Sequence, residues 1–149
     1  MSKNKTILVT GGSGYIGSVV CQMLVEQRHD VINIDRDKKK REMQGVTLYP
    51  FDINNPQVEG IIQLMRPDAI IHMAADNHTV TSLSDPGTYY HNNVSNTIEL
   101  LNAAVKAGVE NFVYVSSSSV YGDANSFPTP ETQTPNPVNP YGRSKLMAE

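Results

Sequence analysis

Short apolar segments rich in β-branched residues alternate along this chain with longer segments of helical period. Because parallel strands need a crossover connection, this alternation predicts an α/β fold, a doubly wound parallel sheet with helices on both faces. Strands buried on both faces are short and almost wholly apolar. Five segments fit this description: Ile7 to Thr10, Val31 to Asp35, Val46 to Phe51, Ala69 to Met73 and Phe112 to Ser116.

Three segments between these strands have the periodicity of helices, at Ile16 to Gln27, Pro56 to Met65 and Pro86 to Ala107. In the third segment, apolar side chains recur at helical spacing along one stripe: Tyr90, Val94, Ile98, Leu101 and Val105. Asp85 is suited to cap the start of that helix, and Gly108 is suited to end it.

The stretch from Gly122 to Pro140 is dominated by proline, asparagine, threonine and serine. Its prolines exclude regular structure over most of this length, and a loop so long is usually functional or disordered. Asn139 is then suited to cap a further helix that has Pro140 at its first position, where the missing N–H costs nothing.

Length, charge and cysteine usage narrow the class of protein. The 149 residues predict a single domain over 1–149, with a net charge of −3 and a basic run, Lys38 to Arg41, that is followed at once by Glu42. That balance predicts no nucleic-acid partner. No apolar run is long enough for a signal peptide or a membrane span, and Cys21 has no disulfide partner, so we predict a soluble, cytoplasmic protein.

No metal site is predicted. Three histidines have no carboxylate or thiol at the spacing of metal ligands and are expected on the surface: His29, His78 and His91. A fourth, His72, is expected to pack at the end of its strand.

A glycine-rich turn from Gly11 to Gly17 directly follows the first predicted strand and opens the first predicted helix. Gly11, Gly14 and Gly17 allow a tight turn, the close approach of a pyrophosphate and close packing of helix on strand. The start of the helix, with Tyr15 and Ile16, supplies N–H groups and a partial positive charge. In this context the turn indicates dinucleotide binding and a Rossmann-like fold.

Asp35 ends the second predicted strand at about the interval, ~20 residues, where a carboxylate accepts hydrogen bonds from the ribose hydroxyls. A carboxylate there repels a 2′-phosphate, so NAD is favoured over NADP. The neighbouring Arg36 keeps NADP open, because a guanidinium could hold the 2′-phosphate.

Tyr141 and Lys145 lie one helical turn apart at the start of the helix that Asn139 caps, so their side chains project from one face. A lysine ammonium nearby favours the phenolate form of a tyrosine, which suits the pair to proton transfer. The serines from Ser116 to Ser119 follow the fifth predicted strand, at the edge of a parallel sheet where ligands bind.

Together these motifs resemble the extended short-chain dehydrogenase/reductase family, and within it the nucleotide-sugar epimerases and dehydratases. The resemblance runs from Thr6 to Glu149. It rests on ordered motifs: the glycine-rich turn, Asp52-Ile53, His72-Met73-Ala74-Ala75, Asn92-Asn93-Val94, Ser116 to Gly122, and Tyr141 with Lys145.

The resemblance implies an NAD-dependent epimerase whose substrate is a nucleotide sugar, with a UDP-hexose expected and C4 as the reacting carbon. Tyr141 would take a hydroxyl proton from the sugar while hydride passes to the nicotinamide. Ser117 would hydrogen-bond the same hydroxyl, and Lys145 would hold the nicotinamide ribose. Further contacts are implied with the cofactor, by Asp52, Ile53, Ala74, Ala75 and Asn93, and with the substrate, by Ser118 and Ser119 as well as Ser117.

Two details bear on the branch of the family. The 4,6-dehydratases carry an acidic pair after the catalytic hydroxyl residue, where this chain has Ser118 and Ser119, so epimerisation is favoured. The segment Asp76-Asn77-His78 is more similar to the dehydratase loop, so a nucleotide-sugar 4,6-dehydratase stays open. A reductase or decarboxylase with the same Tyr–Lys chemistry also stays open.

Members of the family continue past the Tyr–Lys helix with further strands and a C-terminal domain that binds the nucleotide of the substrate. We therefore expect an incomplete Rossmann domain, truncated after the fifth strand and the start of that helix. Two hypotheses follow: the N-terminal part of an epimerase that is inactive alone, or an NAD-binding module without turnover. Family members pair through the long helix and the Tyr helix, so a homodimer is expected.

Overall fold

The computed structural model describes residues 4–37 and 43–149, and the basic run from Lys38 to Arg41 lies outside the described residues. The strands are β1 (Thr6–Thr10), β2 (Asp30–Ile34), β3 (Val46–Tyr49), β4 (Ala69–His72) and β5 (Asn111–Tyr114). The helices are α1 (Tyr15–Glu26), α2 (Gln57–Met65), α3 (Thr79–Ser84), α4 (Pro86–Tyr90), α5 (Asn96–Ala107) and α6 (Pro140–Met147), with a π-helical turn (His91–Ser95) and a 3₁₀ turn (Ser118–Val120).

The chain divides into two compact units. The sheet unit is Met1–Ala74 with Glu99–Val115, and the helical unit is Ala75–Ile98 with Ser116–Glu149. In the sheet unit, all five strands are parallel and follow the order β3-β2-β1-β4-β5. The direction of winding reverses beside β1, which pairs with both β2 and β4, and ligands of such sheets bind at that reversal.

Two apolar clusters cover the two faces of the sheet, because successive side chains of a strand point to opposite sides. On one face Ile7, Val9 and Val31 pack with Cys21 of α1. On the other, side chains of the strands and of α2 and α5 pack together: Leu8, Ile32, Ile34, Ile70, Val58, Ile62, Leu100, Ala103 and Ala104. Helices on both faces confirm the predicted doubly wound α/β fold.

The predicted strands are all present, with ends that differ by one or two residues. The predicted strands extend past the observed ends at Asp35, Phe51, Met73 and Ser116, where the chain has already left the sheet. A strand ends where the neighbouring strand no longer supplies hydrogen-bond partners, and residue type alone does not predict that position.

The long helix is present, but its predicted apolar stripe is not its buried face. Ile98 is 52% exposed and Val105 is 75% exposed. Side chains of another face are buried instead, and many are small or polar: Tyr89, Asn93, Asn96, Thr97, Leu100, Ala103 and Ala104. The buried residues Tyr89, Asn93, Thr97, Leu100 and Ala104 have the same helical spacing one position earlier, so the predicted stripe lies beside the buried face. The prediction followed the large apolar side chains, whereas the buried face also contains small and polar ones.

In the helical unit, α6 packs against α3, α4 and the 3₁₀ turn. Asp85 and Asn139 cap α4 and α6 as predicted, accepting hydrogen bonds from the amides of Thr88 (3.3 Å) and Gly142 (2.8 Å). The sequence did not predict α3 or the 3₁₀ turn, both of which are too short to show periodicity. Among the described residues, no helix combines the length and the apolar character needed to cross a membrane.

The proline-rich stretch is irregular as predicted. It is nevertheless closed by hydrogen bonds: the amide of Asn136 donates to the carbonyl of Val120 (3.0 Å), and the Gln133 side chain donates to the carbonyls of Tyr121 and Asp123. These contacts hold the two ends of the loop together.

Candidate active site

The glycine-rich turn of the sheet unit has no room for side chains at Gly11, Gly12 and Gly17. Gly11 has a φ of +74°, and a Cβ there would lie 2.8 Å from the amide nitrogen of Ala74. At Gly17 a Cβ would lie 2.3 Å from the carbonyl oxygen of Gly11. The first glycine allows the turn and the last allows α1 to start directly against it.

The amides of the turn fall into two groups. Four are used within the protein: Gly11 donates to the carbonyl of Ile34 (2.9 Å), Gly12 to Asn33 Oδ1 (2.9 Å), Ser13 to Asp35 Oδ2 (2.9 Å) and Gly14 to the carbonyl of Gly11 (3.1 Å). The amides of the first three positions of α1, Tyr15, Ile16 and Gly17, have no acceptor in the described part of the chain. Together with the helix dipole they suit an anion such as a pyrophosphate, so the residues fit a dinucleotide.

Asp35 lies just past β2 and is half-buried. Its two carboxylate oxygens accept hydrogen bonds from the amides of Ser13 and Asp37, each at 2.9 Å. These bonds fix the carboxylate beside the turn, and each oxygen keeps a further lone pair. The predicted contact with a ribose stays a prediction.

Arg36 and Asp52 form an ion pair, with 3.6 Å between Arg36 Nη1 and Asp52 Oδ2. Both side chains are well exposed, so the pair contributes little to stability, but it shows that the guanidinium has a carboxylate partner. Ile53 follows and packs against the cluster on the α2 and α5 face. The predicted adenine contacts of Asp52 and Ile53 stay predictions.

Buried Thr10 connects β1 to the segment after β4. Its hydroxyl lies 2.6 Å from His72 Nδ1 and accepts hydrogen bonds from the amides of Met73 (3.3 Å) and Ala74 (3.2 Å). Because the hydroxyl oxygen already accepts from two amides, its hydrogen points to the imidazole nitrogen. This arrangement confirms that His72 packs at the end of its strand and fixes Ala74 against Gly11.

In the helical unit, Tyr141 lies in the first turn of α6. Its ring meets the ring of Tyr89 edge-on, with 6.5 Å between centroids and 77° between planes. Tyr89 is buried, and its hydroxyl donates to the carbonyl of His78 (2.7 Å). Tyr89 is thus held in place and provides the surface against which the Tyr141 ring packs.

Lys145 is only 3% exposed, although lysine is almost never buried without a function or a partner. Burial lowers the pKa of its ammonium from 10.5 to about 8, and the nearby Glu149 carboxylate partly opposes that change. Glu149 accepts a hydrogen bond from the hydroxyl of Ser116. Lys145 therefore loses its charge at a lower pH than an exposed lysine does.

Of the serines after β5, Ser118 and Ser119 lie in the 3₁₀ turn and Ser117 caps it, and α6 packs closely on this turn. The Ser117 hydroxyl accepts a hydrogen bond from the amide of Ser119 (3.2 Å). A Cβ at Gly142 would lie 2.5 Å from the carbonyl oxygen of Ser119, so glycine is required next to Tyr141. The structure therefore brings the segment Ser117 to Ser119 against the start of α6, while the Ser118 side chain itself is exposed.

Asn93 is buried in the π-helical turn and its amide is committed within the protein. Its Oδ1 accepts from the amide of Asp76 (2.9 Å), and its Nδ2 donates to the carbonyl of Asp76 and to Ser144 Oγ, both at 3.0 Å. Ser144 donates in turn to the carbonyl of Tyr141 (2.8 Å). These bonds place Asn93 as a connection between the segment after Ala75 and α6. Its predicted cofactor contact stays a prediction, as does that of Ala75.

Two contributors were missed at the sequence level. Asn33 interrupts an otherwise apolar strand, and Tyr89 precedes the predicted stripe of the long helix by one position. Asn33 could have been found, because an amide within a buried strand must have hydrogen-bond partners. Tyr89 could not, because the large apolar side chains of its helix place the predicted stripe one position away from the buried face.

Metal-binding clusters and thiols are two other kinds of reactive group. No group of three or more potential metal-binding side chains occurs among the residues that the structure describes. Cys21 is fully buried beneath the turn, and burial together with the Asp35 carboxylate raises the pKa of its thiol to about 11. Cys21 is a free thiol and the one cysteine of the sequence.

Comparison with known proteins matches residues 7–149 to the model of the NAD-dependent epimerase/dehydratase family. The UDP-glucose 4-epimerase of Rhizobium meliloti (strain 1021) is 37% identical over 150 residues, which cover 99% of this chain and 46% of that protein. A crystal structure of UDP-glucose 4-epimerase from Brucella ovis in complex with NAD has a TM-score of 0.91 at 33% identity, covering 97% of this chain and 45% of that one.

The UDP-glucose 4-epimerase of Thermotoga maritima, crystallised with UDP-glucose, has a TM-score of 0.89 at 34% identity and covers 96% of this chain and 48% of that one. This chain thus spans slightly less than half the length of each of these relatives. The similarity covers both the glycine-rich turn and the Tyr–Lys helix.

Proposed function

The chain belongs to the NAD-dependent epimerase/dehydratase family, and on that premise we propose that it is the NAD-binding part of an epimerase that inverts C4 of a UDP-hexose. The observation that carries the proposal is Lys145, a buried lysine one helical turn after Tyr141. A buried ammonium with a lowered pKa is costly to the fold, and such groups concentrate at functional sites.

The cofactor is proposed to be NAD, held by the turn from Gly11 to Gly17. Support comes from the three amides at the start of α1 that have no acceptor within the described chain, and from the fixed carboxylate of Asp35. Arg36 is directed to Asp52, which disfavours its use for a 2′-phosphate. When bound, the nicotinamide supplies a hydride acceptor that can return the hydride to either face of the sugar.

Tyr141 is proposed as the general base and acid at the sugar hydroxyl. Its phenolate would take the proton of the C4 hydroxyl as the C4–H bond breaks and would return it when that bond reforms on the other face. Ser117 would hydrogen-bond the same oxygen. Ring packing on Tyr89 and the hydrogen bond from Ser144 restrict the position of Tyr141, which lowers the entropic cost of reaching the reactive geometry.

Lys145 is proposed to hold the nicotinamide ribose and to favour the phenolate form of Tyr141. In its charged state the ammonium stabilises negative charge on a neighbouring oxygen. Because its pKa is about 8, the charged form still predominates at neutral pH. A lysine therefore suits this position better than a neutral donor of similar length.

Epimerisation is favoured over dehydration by two observations. The positions after Ser117, where a dehydratase would carry acidic groups, are Ser118 and Ser119. The Asp76 carboxylate, in the segment that is more similar to a dehydratase loop, accepts a hydrogen bond from Asn92. A carboxylate held in this way has a structural use that does not require proton transfer to a substrate.

The test is an assay of UDP-glucose and UDP-galactose interconversion with NAD present. It compares the 149-residue chain alone with the same chain extended at its C-terminus to the full length of its relatives. We expect activity in the longer protein, a loss of more than about a hundredfold with Tyr141→Phe, and no turnover by the 149 residues alone. Turnover that survives Tyr141→Phe would contradict the proposed base. Formation of a 4-keto-6-deoxy sugar would identify a dehydratase instead.

We also propose a homodimer that pairs through the long helix. Support comes from the apolar side chains that the helix exposes, with Ile98 52% and Val105 75% exposed. An Ile98→Glu, Val105→Glu variant is expected to be monomeric by light scattering at micromolar concentration. A wild-type protein that is already monomeric there would refute the dimer.

A further inference from the structure

Asn33 is a polar residue at a fully buried position of a central strand. It lies in β2 and is 0% exposed, and its strand pairs with β1 on one side and β3 on the other. Val31, two residues earlier, packs in the cluster under α1, so Asn33 points to the same face. An amide at such a position is costly unless its polar atoms have partners.

The partners of Asn33 are both in the glycine-rich turn. Oδ1 accepts the hydrogen bond of the Gly12 amide (2.9 Å), and Nδ2 donates to the hydroxyl oxygen of Ser13 (3.0 Å). The turn also sits directly on this side chain, because a Cβ at Gly12 would lie 2.5 Å from Asn33 Oδ1 and 2.8 Å from the Cys21 sulfur. Asn33 therefore determines how closely the turn approaches β2. It also fixes the orientation of two polar groups of the turn, the Gly12 amide and the Ser13 hydroxyl.

The amide has a property that a carboxylate of the same shape would lack. Because Nδ2 donates to the Ser13 oxygen, the Ser13 hydroxyl hydrogen is left to donate elsewhere. A carboxylate would accept from that hydroxyl, and it would also add a negative charge beneath a site suited to an anion. The neutral amide thus leaves Ser13 able to serve as a donor to a phosphate oxygen.

We propose that Asn33 is a positioning residue for the pyrophosphate of the dinucleotide, acting through Gly12 and through the hydroxyl of Ser13. This inference rests on the proposed binding of NAD. It adds two groups to the site, the side chains of Asn33 and Ser13, beyond the glycines and the amides of α1.

The experiment titrates the 149-residue chain with NAD and, separately, with adenosine, following backbone amide shifts by NMR. Adenosine shares the adenine and ribose of NAD but carries no pyrophosphate. Three variants are compared with wild type: Asn33→Asp, Ser13→Ala and, as a matched control, Asn102→Asp at an exposed position of α5. Urea unfolding of each variant reports on the fold.

Asn33→Asp is expected to weaken NAD binding by about tenfold or more, and Ser13→Ala by about threefold or more, which correspond to the loss of one or two hydrogen bonds. Neither change should alter the adenosine affinity by more than about twofold, and Asn102→Asp should alter neither affinity. A purely structural role of Asn33 would lower both affinities together.

The proposal is overturned if Asn33→Asp binds NAD within about twofold of wild type, or if its NAD and adenosine affinities fall by the same factor. If Asn33→Asp does not fold, Ser13→Ala decides: wild-type affinity for NAD in that variant overturns the proposal. Failure of the wild-type chain itself to bind NAD would refute the proposed cofactor and with it this inference. That outcome is distinguishable from failure of this inference alone, because NAD binding is then absent without any substitution.

Discussion

At the scale of single residues, the burial of Lys145 has the largest chemical consequence, because it lowers the pKa of the ammonium from 10.5 to about 8. The Tyr141 and Lys145 pair could be chosen from its spacing and its place after the glycine-rich turn. Nothing in that spacing shows that Lys145 is 3% exposed, because its burial depends on how α6 packs on α3, α4 and the 3₁₀ turn. Asn33 and Tyr89 were missed for a similar reason: their roles depend on contacts distant in sequence.

Replacing Lys145 with methionine should stabilise the protein at neutral pH. The folded pKa of about 8 lies below the ordinary 10.5, so the cost of burying the ammonium is fully present below pH 8 and shrinks as the pH rises towards 10.5. We expect Lys145→Met to raise the free energy of unfolding by about 1–3 kcal/mol at pH 7, and by less at pH 10. Urea unfolding at the two pH values measures both.

The matched control is Lys106→Met at an exposed lysine that pairs with Glu59, which should change stability by less than about 1 kcal/mol at pH 7. An advantage of Lys145→Met that is the same at pH 7 and pH 10 would show that burial of the charge is not its cause.

Cys21 should be chemically inert in the folded protein. Burial raises the pKa of its thiol to about 11, and the thiolate is the reactive form. We expect a thiol reagent to modify native protein at pH 8 far more slowly than protein unfolded in urea, with a rate that follows the extent of unfolding. Rapid labelling of the native protein at pH 8 would place Cys21 in a more accessible position than the structure does.

At the scale of elements, periodicity predicted the long strands and helices, and it failed where an element is short or irregular. The helix from Pro86 was found, but its buried face, which includes Asn93, lies one position from the predicted stripe and leaves Ile98 exposed. The π-helical turn at His91–Ser95 was not predicted. A π turn has no strong signal in sequence. The 3₁₀ turn at Ser118–Val120 likewise has no strong signal in the sequence, although it brings the serines against α6.

Two glycines within helices should respond in opposite ways to the same substitution. Glycine to alanine ordinarily stabilises a helix by about 0.5–1 kcal/mol, and Gly60→Ala in α2 should do so because a Cβ there meets nothing within 4 Å. Gly142→Ala in α6 should instead destabilise by more than about 1 kcal/mol, because its Cβ would lie 2.5 Å from the Ser119 carbonyl oxygen. Urea unfolding compares the two, and a stabilising Gly142→Ala would mean that α6 does not pack closely on the 3₁₀ turn.

At the scale of the whole molecule, alternation of strands and helices predicted the doubly wound fold. The strand order β3-β2-β1-β4-β5 reverses direction at β1, and because crossovers are right-handed, that reversal puts α1 on one face of the sheet and α2 and α5 on the other. The glycine-rich turn and Asp35 could be placed together in advance because both follow adjacent parallel strands. Which turn amides have acceptors within the protein could not be predicted, since this depends on Asn33 below the turn and on the residue at which α1 starts.

Calorimetric titration of the 149-residue chain with NAD tests the central claim most directly. We predict saturable binding of one NAD per chain, weaker binding of NADP, and a loss of at least about tenfold in affinity with Gly17→Ala, because that Cβ would lie 2.3 Å from the Gly11 carbonyl oxygen and displace the turn. Absence of NAD binding by a folded wild-type chain, or equal binding by Gly17→Ala, would contradict it.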